Sequence, residues 1–394
     1  MKIVCDDKIP FLRGVLEPFA EVVYLPGKQT TPDVVRDADA IITRTRTKCD
    51  ASLLEGSSVK VIATATIGFD HIDTAWCESH GIIWRNAPGC NSWSVKQYIA
   101  SVLVSLALRH GLDLSAMTLG VVGVGNVGSK VAEVASLLGM KVLLNDPPRA
   151  RAGDCPPTLA CHPSHACHPE RSEWISLDEL MERADIVTLH VPLTKEGEDA
   201  TWHLFDAVRI SRLRRDQFLF NSSRGPVVDN AALKAALKAG ALRGAVLDVW
   251  ENEPDIDREL LGLLEYATPH IAGYSADGKA NGTTMSVRTV AAVLGLPLTD
   301  WTASGVPAPA QPLSFCIDAA GKSCAQVLTE AILHTYDVQR DTSALRAAPE
   351  LFEKFRGDYP VRREPTAFSL QLNGGTADMA ETLAKIGFQL TINQ

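Results

Sequence analysis

The chain contains no uninterrupted apolar run near the ~20 residues that a membrane span needs. Its longest, from Tyr98 to about Leu108, falls well short, and no membrane partner is expected. Positive charge is not in excess either: 38 Lys and Arg stand against 47 Asp and Glu, a formal net charge of -9. Binding along a nucleic acid needs a basic face to neutralise phosphates, so this balance argues against a nucleic-acid partner. It leaves room for a local basic pocket that takes one anionic metabolite. Cysteine occurs without a framework. The nine residues are odd in number and mostly scattered, which reads as reduced thiols rather than disulfides. The start shows no targeting segment, because Lys2, Asp6 and Asp7 interrupt it before an apolar run can form. The expectation is a cytoplasmic protein.

What is present is a chain of 394 residues with ordinary globular composition, 46% hydrophobic and 22% charged. That length predicts two or three domains. Short β-branched runs alternate with helical patterns: Lys2 to Val4, Ala40 to Thr43, Val59 to Ala63 and Gly81 to Trp84 read as buried parallel strands. A helix apolar almost all round, Trp93 to His110, follows and is expected to lie buried between layers. A second alternating stretch runs from Thr118 to about Pro269. Its strands are Leu119 to Val122, Lys141 to Leu144, Ile186 to Leu189, Phe218 to Phe220 and Ala245 to Leu247, with a helix over Asn230 to Lys238. Strands alternating with helices predict parallel sheets covered on both faces. Gly295 to Pro312 is rich in Pro and Gly and reads as a linker. The tail beyond it looks like a small α/β module: helical at Ala325 to Tyr336, extended at Phe368 to Leu372, helical at Ala377 to Ile386.

One segment stands apart. Cys161, His162, His165, Cys167 and His168 are all of metal-ligand type. Structural zinc sites usually draw ligands from two separated pairs on a turn and a helix. Here the candidates crowd together among prolines, so the reading is a surface insertion without metal.

The strongest chemical signal is Gly123-Val124-Gly125-Asn126-Val127-Gly128. It directly follows a strand and opens a helix with apolar residues at Val127, Val131, Val134 and Leu138, the context a dinucleotide fingerprint requires. Gly123 permits the tight turn, Gly125 lets a pyrophosphate approach the backbone, and Gly128 allows close helix–strand packing. The helix N-terminus then offers unpaired amides and a positive dipole end. Asp146 ends the next strand, where a carboxylate accepts from ribose hydroxyls and repels a 2′-phosphate, which favours NAD over NADP. Arg149 and Arg151 just beyond weaken that preference.

Three later segments form a constellation: Asn221-Ser222-Ser223-Arg224-Gly225, Leu247 to Pro254 with Asp248 and Glu253, and Thr268-Pro269-His270. An arginine past a parallel strand points into the ligand crevice, and its planar fork suits a carboxylate. A histidine is the natural acid/base for oxidising an alcohol, and a carboxylate on its other nitrogen would orient it. On a facing sheet, Arg44-Thr45-Arg46-Thr47-Lys48 puts cations at a strand end, as a substrate phosphate would require.

These motifs, with His190-Val191-Pro192-Leu193-Thr194 and Pro269 to Gly273, resemble the D-isomer-specific 2-hydroxyacid dehydrogenase family from Met1 to about Leu294. The resemblance implies that Arg224, Glu253 and His270 are catalytic. It implies NAD contacts at Asn126, Val127, Val191, Ser222, Ser223, Asp248 and Gly273 besides the glycines and Asp146, and substrate contacts at Arg44, Thr45, Thr66 and Tyr274. Val191 stands where the family often has threonine, so a backbone contact would survive there but a hydroxyl contact would not. Formate dehydrogenases of this fold carry glutamine at the position of Glu253, which argues against that branch.

Within the family, Ala63 to His71, Ala87 to Asn91, Asn145 to Arg149 and the tail at Tyr336 to Asp341 resemble a particular branch. That branch oxidises a small phosphorylated 2-hydroxy acid in the route to pyridoxal 5'-phosphate (vitamin B6). The implied fold is α/β with doubly wound parallel sheets. It has a flavodoxin-like substrate domain over 1-92, completed by about 270-294, and a Rossmann NAD domain over 93-269. The segment 295-394 is a linker and C-terminal dimerisation domain, so a homodimer is expected. Two alternatives stay open: a sibling dehydrogenase of the 3-phosphoglycerate or hydroxypyruvate type, and an NAD(H)-sensing corepressor-like binding protein. The tail lacks the evident pattern of a regulatory amino-acid-binding domain, and a minimal reductase would have no tail.

Overall fold

In a computed structural model of the chain, residues 1–159 and 173–393 are described. The cluster from Cys161 to His168 lies outside them. Among the described residues no group of three or more His, Cys, Asp or Glu could hold a metal ion. No helix among them is long and apolar enough to cross a membrane.

The chain divides into two compact units, Met1–Ser92 with Tyr274–Ala308, and Trp93–Gly273 with Pro309–Gln394. The first holds β1 (Lys2–Asp6), β2 (Glu21–Leu25), β3 (Ala40–Thr43), β4 (Val61–Thr64) and β5 (Ile83–Arg85). All are parallel, in the order β2-β1-β3-β4-β5, the flavodoxin-like arrangement. Strand side chains alternate between faces. Ile3, Cys5, Ile42, Val61 and Ala63 therefore join Val287, Val290 and Ala291 of the helix Ala276–Leu294 in one core. Val4, Ile41 and Ile62 join Leu53, Leu54 and Cys77 in another. Burial on both faces is why these strands read as continuous apolar runs.

The second unit holds β6 (Thr118–Val122), β7 (Lys141–Asn145), β8 (Ile186–Leu189), β9 (Phe218–Asn221), β10 (Gly244–Leu247) and β11 (Tyr266–Ala267). The order is β11-β10-β9-β8-β6-β7, all parallel. A single parallel bridge from Leu144 to Trp174 adds one more pairing outside β7. The order reverses between β6 and β8, the switch point at which such sheets bind ligands.

The tail has its own parallel sheet, β12 (Ser314–Asp318), β13 (Ser369–Asn373) and β14 (Gln389–Asn393), in the order β12-β13-β14. It packs nevertheless as part of the second unit. Ile317, Val327, Ile332, Phe368, Leu370 and Leu372 share a core with Ala100 and Val104 of the helix Ser92–His110 and with Val134 and Leu137. Leu345 and Phe352 enter the core beneath the nucleotide sheet. The expected linker is divided as well: residues through Ala308 belong to the first unit, and those from Pro309 to the second.

Candidate active site

At the switch point, Gly123 leaves β6 with φ +84°, a conformation that disfavours other residues. A Cβ there would lie 2.7 Å from the His190 carbonyl oxygen and 2.8 Å from Val191, so the loops after β6 and β8 are in direct contact. A Cβ on Gly128 would overlap the Gly123 carbonyl, whereas one on Gly125 would meet nothing within 4 Å. Two of the glycines thus serve packing, and the open one leaves the backbone approachable. Gly125 caps the helix Asn126–Leu137 without a side-chain hydrogen bond, so the first amides of this helix are left for an anion.

Asp146 follows β7. Its Oδ2 accepts from the Val124 amide at 2.8 Å and its Oδ1 from the Arg149 amide at 3.2 Å. A carboxylate has roughly four acceptor positions, so capacity for ribose hydroxyls remains. The guanidinium of Arg149 pairs with Asp154 at 2.8 Å, and Arg151 is engaged by Glu198 and Asp199. Both arginines carry partners of their own. Beside the loop, burial pushes the His190 imidazole down to about 3, so it is neutral. Its Nδ1 and the enclosed Ser222 hydroxyl have no hydrogen-bond partner among the described residues. Ser223 is held internally, its hydroxyl donating to Asn221 at 2.8 Å. An open glycine backbone, an uncapped helix start, a strand-end carboxylate and orphaned polar atoms fit a dinucleotide such as NAD.

Neighbouring strands β9, β10 and β11 then supply the constellation. Arg224 lies just beyond β9, half-buried, with one guanidinium nitrogen donating to the Ser223 carbonyl at 2.8 Å. A Cβ on the adjacent Gly225 would overlap the Trp250 carbonyl, so the loops after β9 and β10 touch. Beyond β10, the Glu253 carboxylate accepts from the Trp250 amide at 2.9 Å and faces His270 Nδ1 at 2.8 Å. Burial opposes its charge, but His270 and that amide outweigh burial and hold the carboxyl below its ordinary value. The ionised carboxylate makes Nδ1 the protonated nitrogen and Nε2 the acceptor. His270 itself sits at φ +57°, uncommon for a residue with a Cβ, in a turn that leaves β11.

Asp248 stands behind that turn rather than at an open surface. It is 1% exposed, and its carboxylate accepts from the Thr268 hydroxyl at 2.6 Å and the Ile271 and Ala272 amides at 2.7 and 3.0 Å. The Tyr98 hydroxyl, 2.9 Å from Thr268 Oγ1, completes the chain. Sequence reasoning placed Thr268 in the histidine segment without a role and missed Tyr98, which looks there like a core residue of a helix.

In the first unit, Arg44, Thr45 and Thr66 follow strands β3 and β4. Arg44 donates to the Lys8 carbonyl at 3.4 Å. Thr66 lies 2.8 Å from Thr64 Oγ1 and donates to the Gly68 carbonyl at 2.9 Å. Lys48 is paired with Asp50 at 2.6 Å. Tyr274 opens this unit's second segment, with Lys279 Nζ 4.9 Å from its ring centre.

Comparison with known proteins accords with this geometry. Residues 85–272 match the family described as D-isomer specific 2-hydroxyacid dehydrogenase, NAD binding domain. Residues 312–387 match a domain of unknown function, DUF3410. An erythronate-4-phosphate dehydrogenase of Bacteroides fragilis is 50% identical over 94% of this chain and 99% of its own length. That of Porphyromonas gingivalis is 42% identical over 98% and 100%. The chain belongs to the erythronate-4-phosphate dehydrogenase family. Like that family, it is an NAD-dependent oxidoreductase. Among solved structures, D-lactate dehydrogenase from Aquifex aeolicus, complexed with NAD and lactic acid, superposes with a TM-score of 0.60 at 27% identity. That match covers 75% of this chain and 96% of the other. The NAD-dependent formate dehydrogenase of Staphylococcus aureus, at 24% identity and a TM-score of 0.56, shares the fold over 75% of this chain and 96% of its own.

Proposed function

We propose that this member of the erythronate-4-phosphate dehydrogenase family oxidises 4-phospho-D-erythronate to 2-oxo-3-hydroxy-4-phosphobutanoate in pyridoxal 5'-phosphate biosynthesis. The observation that carries the reading is the His270–Glu253 pair at 2.8 Å, set beside Arg224 on adjoining strand ends. Bound NAD, held by Gly123 to Gly128 and Asp146, supplies the two-electron acceptor. Arg224 holds the substrate carboxylate next to C2 with its fork. His270 Nε2 takes the proton of the 2-hydroxyl as C2 becomes a carbonyl, and ionised Glu253 stabilises the imidazolium that results. In the first unit, Arg44, Thr45, Thr66 and Tyr274 contact substrate, and Arg44 gives the cation that a terminal phosphate requires. The enzyme works as a cytoplasmic homodimer joined through the C-terminal segment, for which sedimentation velocity of the full chain is expected to give two copies.

The decisive assay offers NAD with 4-phospho-D-erythronate, 3-phosphoglycerate or D-glycerate and follows NADH absorbance. Turnover is expected to be highest with the first. A higher kcat/KM on 3-phosphoglycerate would transfer the chain to a sibling activity, and no turnover on any would favour a nucleotide-sensing role.

A further inference from the structure

The turn that carries His270 is gripped from both sides of its backbone. Its amides go to Asp248: those of Ile271 and Ala272 to the carboxylate, and that of His270 to the backbone carbonyl at 2.7 Å. The carbonyls of the same two residues go elsewhere. Arg362 Nη2 donates to the Ile271 carbonyl at 3.1 Å and the Ala272 carbonyl at 2.6 Å. Arg362 belongs to the C-terminal segment and is 4% exposed. A buried cation needs compensation; Nε and Nη1 find no hydrogen-bond partner among the described residues, and ring faces of the tail stand beside the group. The guanidinium lies 4.5 Å from the ring centre of Tyr336 and 5.7 Å from that of Tyr359. Both tyrosine hydroxyls donate to Asp341, at 2.9 and 2.7 Å. The same segment secures β11 itself: the Ala267 amide donates to Thr342 Oγ1 at 3.2 Å, and Arg346 donates to the Leu264 carbonyl.

From this geometry we infer that Arg362 is a positioning residue for the acid/base histidine, so that the C-terminal segment completes the catalytic turn. Two consecutive residues, Ile271 and Ala272, are clamped between a carboxylate on their N–H groups and a guanidinium on their C=O groups. That clamp holds a left-handed residue which the local sequence alone would not hold. The inference rests on the reading of His270 as the group that takes the 2-hydroxyl proton.

The test compares Arg362→Met, which keeps a long apolar stem, and Arg362→Lys, which keeps charge and one donor, with wild type and His270→Ala. If Arg362 positions His270, Arg362→Met lowers kcat by roughly 10- to 100-fold, the scale of a misplacement near 1 Å. KM for 4-phosphoerythronate and Kd for NADH change by less than about twofold, because an interaction used only in the transition state has been lost. Arg362→Lys recovers part of the loss. In a His270→Ala background, Arg362→Met costs nothing further, since the two act as one unit. Near-normal kcat in a folded Arg362→Met enzyme, or full additivity with His270→Ala, overturns the inference while His270→Ala still reports on the mechanism. If His270→Ala itself is active, the mechanism has failed instead. Should Arg362→Met not fold, Arg362→Lys decides: reduced kcat with intact NADH binding supports the inference, and unchanged kcat overturns it.

Discussion

Asp146 serves two ends with one carboxylate: it ties the Val124 amide inside the glycine loop and starts the short helix Pro147–Arg151 by accepting from Arg149. Removing the side chain would disturb both. Asp146→Asn keeps an acceptor for the loop while deleting the charge that repels a 2′-phosphate. It is expected to raise the NADP/NAD ratio of kcat/KM on the order of tenfold, about 1.4 kcal/mol; an unchanged ratio in steady-state kinetics would remove Asp146 from the specificity role. For His270→Ala, turnover is expected to fall by roughly 10²–10⁴ while NADH still binds by fluorescence titration. Near-normal turnover would sink the mechanism. These residues were legible because the glycine loop and the arginine, glutamate and histidine segments each follow an apolar strand. Arg362 was not legible. In the run Val361-Arg362-Arg363-Glu364 nothing local distinguishes a buried cation from a solvated one. Burial there depends on two tyrosines and a turn distant in the chain.

Central strands were read from their apolar runs, as was the half-exposed edge strand β5, while some other edge strands were missed. The strands at the centres of the sheets appear within a residue or two of their expected places. β2 escaped notice at a sheet edge with its residues only half-buried or exposed, and β11 because it spans just Tyr266 and Ala267. The helices Cys324–Thr335 and Ala377–Ile386 were visible in the tail, but their destination was not. The tail is bound into the nucleotide unit by shared core rather than tethered to it. A chain ending at Ala308 would expose Ala100, Val104, Val134 and Leu137 and lose Leu345 and Phe352 from the interior. Core losses cost about 2–5 kcal/mol for each large side chain. Such a truncation is expected to melt more than about 10 °C below the full chain by calorimetry. A melting temperature preserved in the truncated chain would show that the tail is an independent module.

At the scale of the whole molecule, buried neutral histidines add to the loss of stability in acid. Burial holds His71 down to about 4 and His190 down to about 3, against an ordinary value of 6.5. The unfolded chain takes up these protons below pH ~6.5 and the folded chain does not, so stability is full above that pH and falls below it. Each histidine accounts for about 2 kcal/mol by pH 5, and the loss levels off only as pH passes through the folded values. Replacing His190 by Gln is expected to flatten the decline between pH 6.5 and 4 in urea titrations. An unchanged slope would place the acid sensitivity elsewhere.

The bonds from Arg362 to the Ile271 and Ala272 carbonyls join positions 91 and 90 residues apart. In terms of inheritance, that makes the catalytic turn and the C-terminal segment one unit of exchange. Recombination that swapped the tail for one lacking this guanidinium would leave two buried carbonyls without their donor, behind a catalytic loop whose own residues were all still in place.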